Sequence, residues 1–210
     1  KYLRNIINIF LFYLSCHQMV GTFKVVTMSS AVEEGVIDIF NDHFYDAGKV
    51  NVDGSVLKCW KSGGHGDQTF LQVLQNSCNP GFVKLGQLLG KEKLFSYIDK
   101  FGFGNKTGID LSGEATGILF PINKIGNVEL ATTAFGQGIS VTPIQQVAAV
   151  SAVVNGGVLY KPYIVKGIST NTNSSVKEFS KKKVRRVISE KTSEIMRLAL
   201  ESVVAYGGGK

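Results

Sequence analysis

"QMVGTFKVVTMSS", Gln18 to Ser30, is written like the opening of a helix built around a lysine. From Thr22 the run "TFKVVTMSSAVEEG" carries apolar residues at Phe23, Val26 and Val32 and ends on Gly35, which suits a helix C-cap. This pattern predicts about three turns of helix with Lys24 on the first. Positions i and i+3 share a helix face, whereas i and i+2 diverge by about 200°. The residue facing Lys24 from one turn back is therefore Gly21, and Thr22 points away. Ser29 and Ser30 lie more than a turn further along. A lysine whose pKa falls on burial can shuttle a proton for a neighbouring serine hydroxyl. Position 21 offers no hydroxyl to shuttle for.

Upstream, "KYLRNIINIFLFYLSCHQMV" places basic residues before an apolar run from Ile6 to Cys16, like the n- and h-regions of a secretory signal. The run is shorter than the roughly 20 residues a bilayer span needs. A buried strand, or a segment foreign to the domain, fits it equally. Position 1 is lysine rather than an initiator methionine. The expected division is an aberrant apolar segment over 1–20 and one domain over 21–210.

The 210 residues are 44% hydrophobic and 19% charged, enough for a packed core and too apolar for wholesale disorder. The net charge of +7 admits nucleic acid, an anionic membrane or an anionic polymer as partners. The tight basic run is "KKKVRR", Lys181 to Arg186, after the polar "STNTNSSVKEFS". With no aromatic residues interleaved, it lacks a stacking platform for bases and reads as a solvated surface turn. Cys16, Cys59 and Cys78 form no C-x-x-C pair, so neither a zinc ribbon nor a disulfide framework is indicated. His65, in the glycine-rich "SGGHGD", has no second ligand at metal spacing and reads as a structural loop histidine. Trp60 reads as a core or groove aromatic.

Further along, "FYDAGKVNVDGSVLKCW" reads as a hairpin turning at Asp53-Gly54. "QTFLQVLQNS" is a short helix. "NPGFVKLGQLLG" begins another, with Asn79 placed to cap it, Pro80 in its first turn and Gly90 at its end. "KEKLFSYIDKFGFG" is a third, closing on Gly102. "NVELATTAFGQG" is helical. "TPIQQVAAVSAVVNGG", with Thr142-Pro143 as N-cap and N1, is apolar nearly all round and should be central. "VLYKPYIVKGI" is a strand or a strand pair broken at Pro162. "SEKTSEIMRLALESVVAYGGGK" is a final amphipathic helix opened by Ser189. Helices dominate, and no alternating pattern supports a sheet of three to five strands.

Three features can share one pocket: Lys24, the "SCN" loop Ser77-Cys78-Asn79, and the glycine-rich "AFGQGISVTP" from Ala134 to Pro143. On an extended loop the Ser77 hydroxyl and the Asn79 amide would face the same way. Taken alone, each piece also has a plain structural reading: a surface lysine, a helix cap, a tight turn.

Together the blocks "GTFKVVTMSSAVEEG", "GHGDQTFLQVLQNSCNPGFVKLGQLLG", "FGFGNKTGIDLSGEATG" and "LATTAFGQGISVTPIQQVAAVSAVVNGG" resemble the transpeptidase domain of class B penicillin-binding proteins, nearest the division and sporulation types of Gram-positive bacteria. The resemblance runs from Gly21 to Lys210 in order. It implies an α+β fold of the serine β-lactamase and penicillin-binding type, here its predominantly helical part with most of the central antiparallel sheet absent. It implies peptidoglycan stem peptides and β-lactams as partners, with no nucleic acid, cofactor or metal. It further implies a membrane-anchored parent at the extracytoplasmic face of the bacterial cell membrane.

The family acylates a serine through S-x-x-K, S-x-N and K-T-G motifs. Carried over, Lys24 is the first motif's lysine, Ser77 and Asn79 are the second motif, and Gly21 occupies the nucleophile's place. The "PGS" approach usual in the family is replaced by "CHQMVG". The family's catalytic K-T-G is expected beyond Lys210. The "KTG" at Lys106-Thr107-Gly108 precedes the "FGQG" helix and reads as a structural turn. The expectation is an inactive partial transpeptidase domain. A non-catalytic peptidoglycan- or divisome-binding pseudoenzyme is the second reading, and a basic nucleic-acid or membrane-surface module the third.

Overall fold

The computed structural model describes residues 20–170 and 175–208. The apolar N-terminal segment, including Cys16, lies outside the described residues. At the centre is α1, Val20–Glu33, the helix expected around Lys24. It is enclosed on nearly every side rather than along one stripe: Phe23, Val26, Met28 and Ala31 are fully buried. Its hydroxyl residues are buried too, and each finds an acceptor. Thr27 donates to the Ala134 carbonyl, and Ser29 and Ser30 both donate back to the Val26 carbonyl. Those internal bonds satisfy the serines and leave neither free to serve as a nucleophile. Gly35, at φ 62°, turns the chain out of the helix as expected.

Around α1 pack α3 (Asn79–Lys100), α5 (Pro143–Val154) and α6 (Glu190–Tyr206), while α2 (Phe70–Gln75) and α4 (Asn127–Ala134) fill the flanks. The close approach of α3 to α4 depends on Gly86. A Cβ there would stand 2.6 Å from the Ala134 Cβ, well inside contact distance. Within α3, Gly90 leaves helical geometry at φ 73° and ψ 163°, so this run is the two helices expected from the sequence, meeting at a kink on that glycine.

Of the three caps expected from the sequence, Thr142 and Ser189 form and Asn79 does not, and Thr69 adds one beyond them. Thr69 caps α2 and Thr142 caps α5, each in a reciprocal capping box with the glutamine three residues on. Ser189 caps α6 by accepting from the Thr192 N–H, and its hydroxyl donates to Glu33, tying the last helix to the end of the first. Asn79 does not cap α3 as its position suggests. Cys78 holds the cap position without a side-chain bond, and Asn79 is the first helical residue. Its amide is diverted to Lys24, a stronger partner than an exposed helix end.

The described strands form four separate two-stranded antiparallel sheets. β1 (His43–Asp46) pairs with β4 (Gly66–Thr69), and β2 (Lys49–Val52) pairs with β3 (Ser55–Lys58) across the predicted Asp53-Gly54 turn. β5 (Val158–Lys161) pairs with β8 (Lys182–Arg186), and β6 (Gly167–Ser169) with β7 (Ser175–Glu178). The basic run is thus a strand and not a turn, although every residue of β8 is exposed. Its missing apolar alternation hid it: the strand is held by its backbone ladder and buries no face.

Burial of α5 is also less complete than its apolar sequence suggests. Ala149, Ala152 and Val153 are enclosed, but Val147 is 61% exposed. The decoy "KTG" lies in an irregular loop, rather than the expected turn, and is organised by a carboxylate. Glu114 accepts from the Thr107 N–H, the Thr107 hydroxyl and the Gly108 N–H, while Lys106 is exposed. Among the described residues no helix is long and apolar enough to cross a membrane.

Candidate functional site

The first turn of α1 and the loop between α2 and α3 meet at a single amine. Lys24 Nζ donates to the Ser77 hydroxyl at 2.8 Å, the Ser77 carbonyl at 2.8 Å and the Asn79 Oδ1 at 2.7 Å. These three bonds use all the donors of an ammonium group. The amine lies over the Phe82 ring, 5.3 Å from its centroid. Lys24, Ser77 and Asn79 therefore come together as the motif spacing implies. The means differs from the extended loop expected. Ser77 sits in the left-handed region at φ 50°, which rotates its carbonyl and hydroxyl toward the same amine. Asn79 reaches in from the first position of α3.

Burial sets the chemistry of that amine. Lys24 is 3% exposed, and burial lowers its pKa from 10.5 to about 8, with the nearby Cys78 and Cys59 pulling it part of the way back. An amine in that range exchanges protons near neutral pH, which is the property a general base needs.

Gly21 stands one turn before Lys24 on the rim of an open groove of about 790 Å³. Trp60, Leu74, Val150, Val203 and Tyr206 line its apolar part. Trp60 is a groove residue and not a core one: it is 67% exposed and anchored by its indole N–H to the Asn76 carbonyl. A Cβ built at Gly21 meets nothing within 4 Å, so the groove has room for a side chain where the sequence has none. Thr22 is exposed beside it, and the amine's three bonds go elsewhere. The glycine-rich "AFGQGISVTP" lies behind the site: the Ala134 carbonyl accepts from Thr27 on α1, and Ser140 bridges to Ile118.

One cluster is not legible in the chain order. The sequence around His65 offers no second ligand, yet the fold gathers Asp46, Cys59 and Cys78 around it, all four donor atoms lying within 4.8 Å of one another. Asp46 is the last residue of β1, Cys59 follows β3, His65 precedes β4 and Cys78 immediately precedes α3. The pairing of β1 with β4 brings Asp46 and His65 together, and the sequence signals for those two strands are faint.

Residues 19–210 match the penicillin-binding protein transpeptidase domain family. The chain is 61% identical over 197 residues to stage V sporulation protein D of Bacillus subtilis, covering 93% of this chain and 30% of that protein. It is 30% identical over 181 residues to the penicillin-binding protein PbpB of Mycolicibacterium smegmatis, covering 86% of this chain and 28% of that protein. The chain thus spans less than a third of the length of these curated relatives. Among solved structures, penicillin-binding protein 3 of Mycobacterium tuberculosis, crystallised with aztreonam, superposes with a TM-score of 0.83 at 28% identity, covering 92% of this chain and 43% of that one. The transpeptidase domain of an Eggerthella lenta peptidoglycan glycosyltransferase superposes at 0.86, with 23% identity and 92% and 50% coverage, which speaks to the fold. On sequence, fold and the meeting of Lys24 with the Ser77–Asn79 loop, the chain belongs to the class B penicillin-binding protein transpeptidase family.

Proposed function

We propose that this chain carries the lysine and S-x-N groups of a peptidoglycan D,D-transpeptidase site and, with Gly21 at the nucleophile's position, forms no acyl-enzyme. The observation that carries the reading is the Lys24 amine: bonded to Ser77 and Asn79, depressed to about 8, and facing a glycine one turn back. In a transpeptidase, this amine takes the proton of an attacking serine and the S-x-N groups return one to the leaving group. Here the amine and its partners are in register, but the electrophile has no attacking oxygen. Thr22 diverges around the helix, and Ser29 and Ser30 are buried with their hydroxyls spent on Val26. The ligands are of the stem-peptide D-alanyl-D-alanine class and the β-lactams that mimic it. The setting is the extracytoplasmic face of a bacterial cell membrane, in cell-wall synthesis linked to sporulation or division. The open groove keeps space for such a ligand beside Lys24, which favours non-covalent docking as the residual activity.

Incubation with a fluorescent penicillin, followed by denaturation and intact-mass measurement, tests this. The unmodified mass is expected. A retained label overturns the proposal, and peptide mapping would identify the residue that had attacked.

A further inference from the structure

We propose that Asp46, Cys59, His65 and Cys78 form a four-ligand site for a divalent cation of the zinc class. His65 Nδ1 lies 2.9 Å from Asp46 Oδ2 and 3.3 Å from Cys59 Sγ, and Cys78 Sγ lies 3.3 Å from the same carboxylate oxygen. Bonds of about 2.0–2.3 Å to a tetrahedral zinc put neighbouring ligand atoms about 3.3–3.8 Å apart. These three spacings are at or inside those edges and all four donor atoms lie within 4.8 Å of one another, so side-chain movements of about 1 Å or less admit the ion.

The donor set is two sulfurs, one imidazole and one carboxylate. That mixture suits zinc and disfavours magnesium or calcium, which take oxygen ligands. Four protein ligands leave no open position, which marks a structural rather than a catalytic site. It is also enclosed: the Asp46 and His65 side chains are 0% and 6% exposed, and Cys78 is fully buried. His65 Nε2 has no hydrogen-bond partner among the described residues, so the ring's polar contacts all run through Nδ1 into the cluster.

The backbone is built to close this pocket. Gly64 has φ +80°, and a Cβ there would run into the Asp46 carbonyl and the Gly48 N–H. Only a glycine lets the loop before β4 lie against the end of β1 and present His65 inward. Asp46 is already fixed, its Oδ1 accepting from the Gly48 N–H and its Oδ2 from the His65 N–H. Such outer bonds orient a ligand before the metal arrives.

Binding is balanced in charge. The cation enters as the two thiols release their protons, so the ion, two thiolates and one carboxylate sum to the single negative charge that the carboxylate carried alone. The field at Lys24 is little altered. The consequence is mechanical. Cys78 lies between Ser77 and Asn79, so the ion would tie the loop that holds the Lys24 amine to β1, β3 and β4.

The test uses the whole chain, reduced and stripped of metal, with cobalt(II) as a spectroscopic probe and zinc as competitor. One equivalent of cobalt is expected, with the intense d–d bands of a tetrahedral ion and a sulfur-to-cobalt charge-transfer band, both abolished by zinc. Cys59→Ser is expected to remove about half of the charge-transfer intensity, one of two thiolates being lost. It should weaken binding by more than the ~100-fold that loss of an outer partner costs. Cys16→Ser should change neither. Independently of any variant, zinc should protect Cys59 and Cys78 from alkylation and raise the thermal midpoint in a concentration-dependent way. A pale octahedral spectrum, binding indifferent to Cys59→Ser, or thiols that zinc leaves fully reactive overturns the proposal.

Discussion

Raising the pH from 7 to 9.5 should stabilise this chain through Lys24. Its pKa is about 8 in the fold against 10.5 for a free lysine, with burial the main cause. The folded value is the lower one, so between these limits the unfolded chain binds more protons, and stability rises with pH. Below pH 8 the buried ammonium penalises the fold by roughly 3 kcal/mol, since a tenfold change in proton affinity is worth about 1.4 kcal/mol. At pH 9.5 linkage returns roughly 2 kcal/mol of it. Other groups oppose the trend: burial pushes the Cys78 thiol up to about 12, and burial with the Glu34 carboxylate pushes Tyr97 up. Comparison with Lys24→Met cancels them, because both proteins retain them. Urea unfolding at the two pH values should show the stability of the parent, relative to the variant, increasing by roughly 2 kcal/mol. A difference that stays constant to within about 0.5 kcal/mol refutes a buried, depressed Lys24 and the general-base argument built on it.

Gly21→Ser should fold and gain a few tenths of a kcal/mol, about the Gly-to-Ser difference in helix propensity, because the site has room for a Cβ; thermal unfolding checks this. Gly64→Ala should destabilise the chain by about 1–3 kcal/mol from backbone strain alone, with the clash against Asp46 and Gly48 adding to it, as read from the denaturation midpoint. Glu114→Gln should lower stability by about 1–3 kcal/mol by weakening the three bonds to Thr107 and Gly108, while Lys106→Ala stays within about 0.5 kcal/mol of the parent. Equal effects of these last two would show that the Lys106 amine has work to do after all.

Where side-chain periodicity and caps carry the information, the sequence is legible. α1, α2, α6 and the Asp53-Gly54 hairpin follow from local rules that the tertiary fold does not override. The motif lysine and the S-x-N loop are equally readable, because their spacing preserves a recognisable family pattern. Legibility fails where a distant partner decides. Asn79 looks like a cap until Lys24 claims its amide. β8 looks like a charged turn because its order comes from the β5 backbone and not from an apolar face. Val147 looks like core because hydrophobicity does not record which side of α5 the rest of the chain covers. The four clustered donors are separated by 13, 6 and 13 positions in the sequence, and the β1–β4 pairing, the β2–β3 hairpin that returns Cys59 to Gly48 and the start of α3 unite them.

The most direct trial is of Gly21 itself. Exposing the parent chain and Gly21→Ser to a β-lactam across pH 6–9, with intact mass and peptide mapping, should leave the parent unmodified throughout. Any adduct the variant acquires should map to position 21 and vanish when Lys24→Met is added. A covalent adduct on the parent chain at any residue would contradict the account.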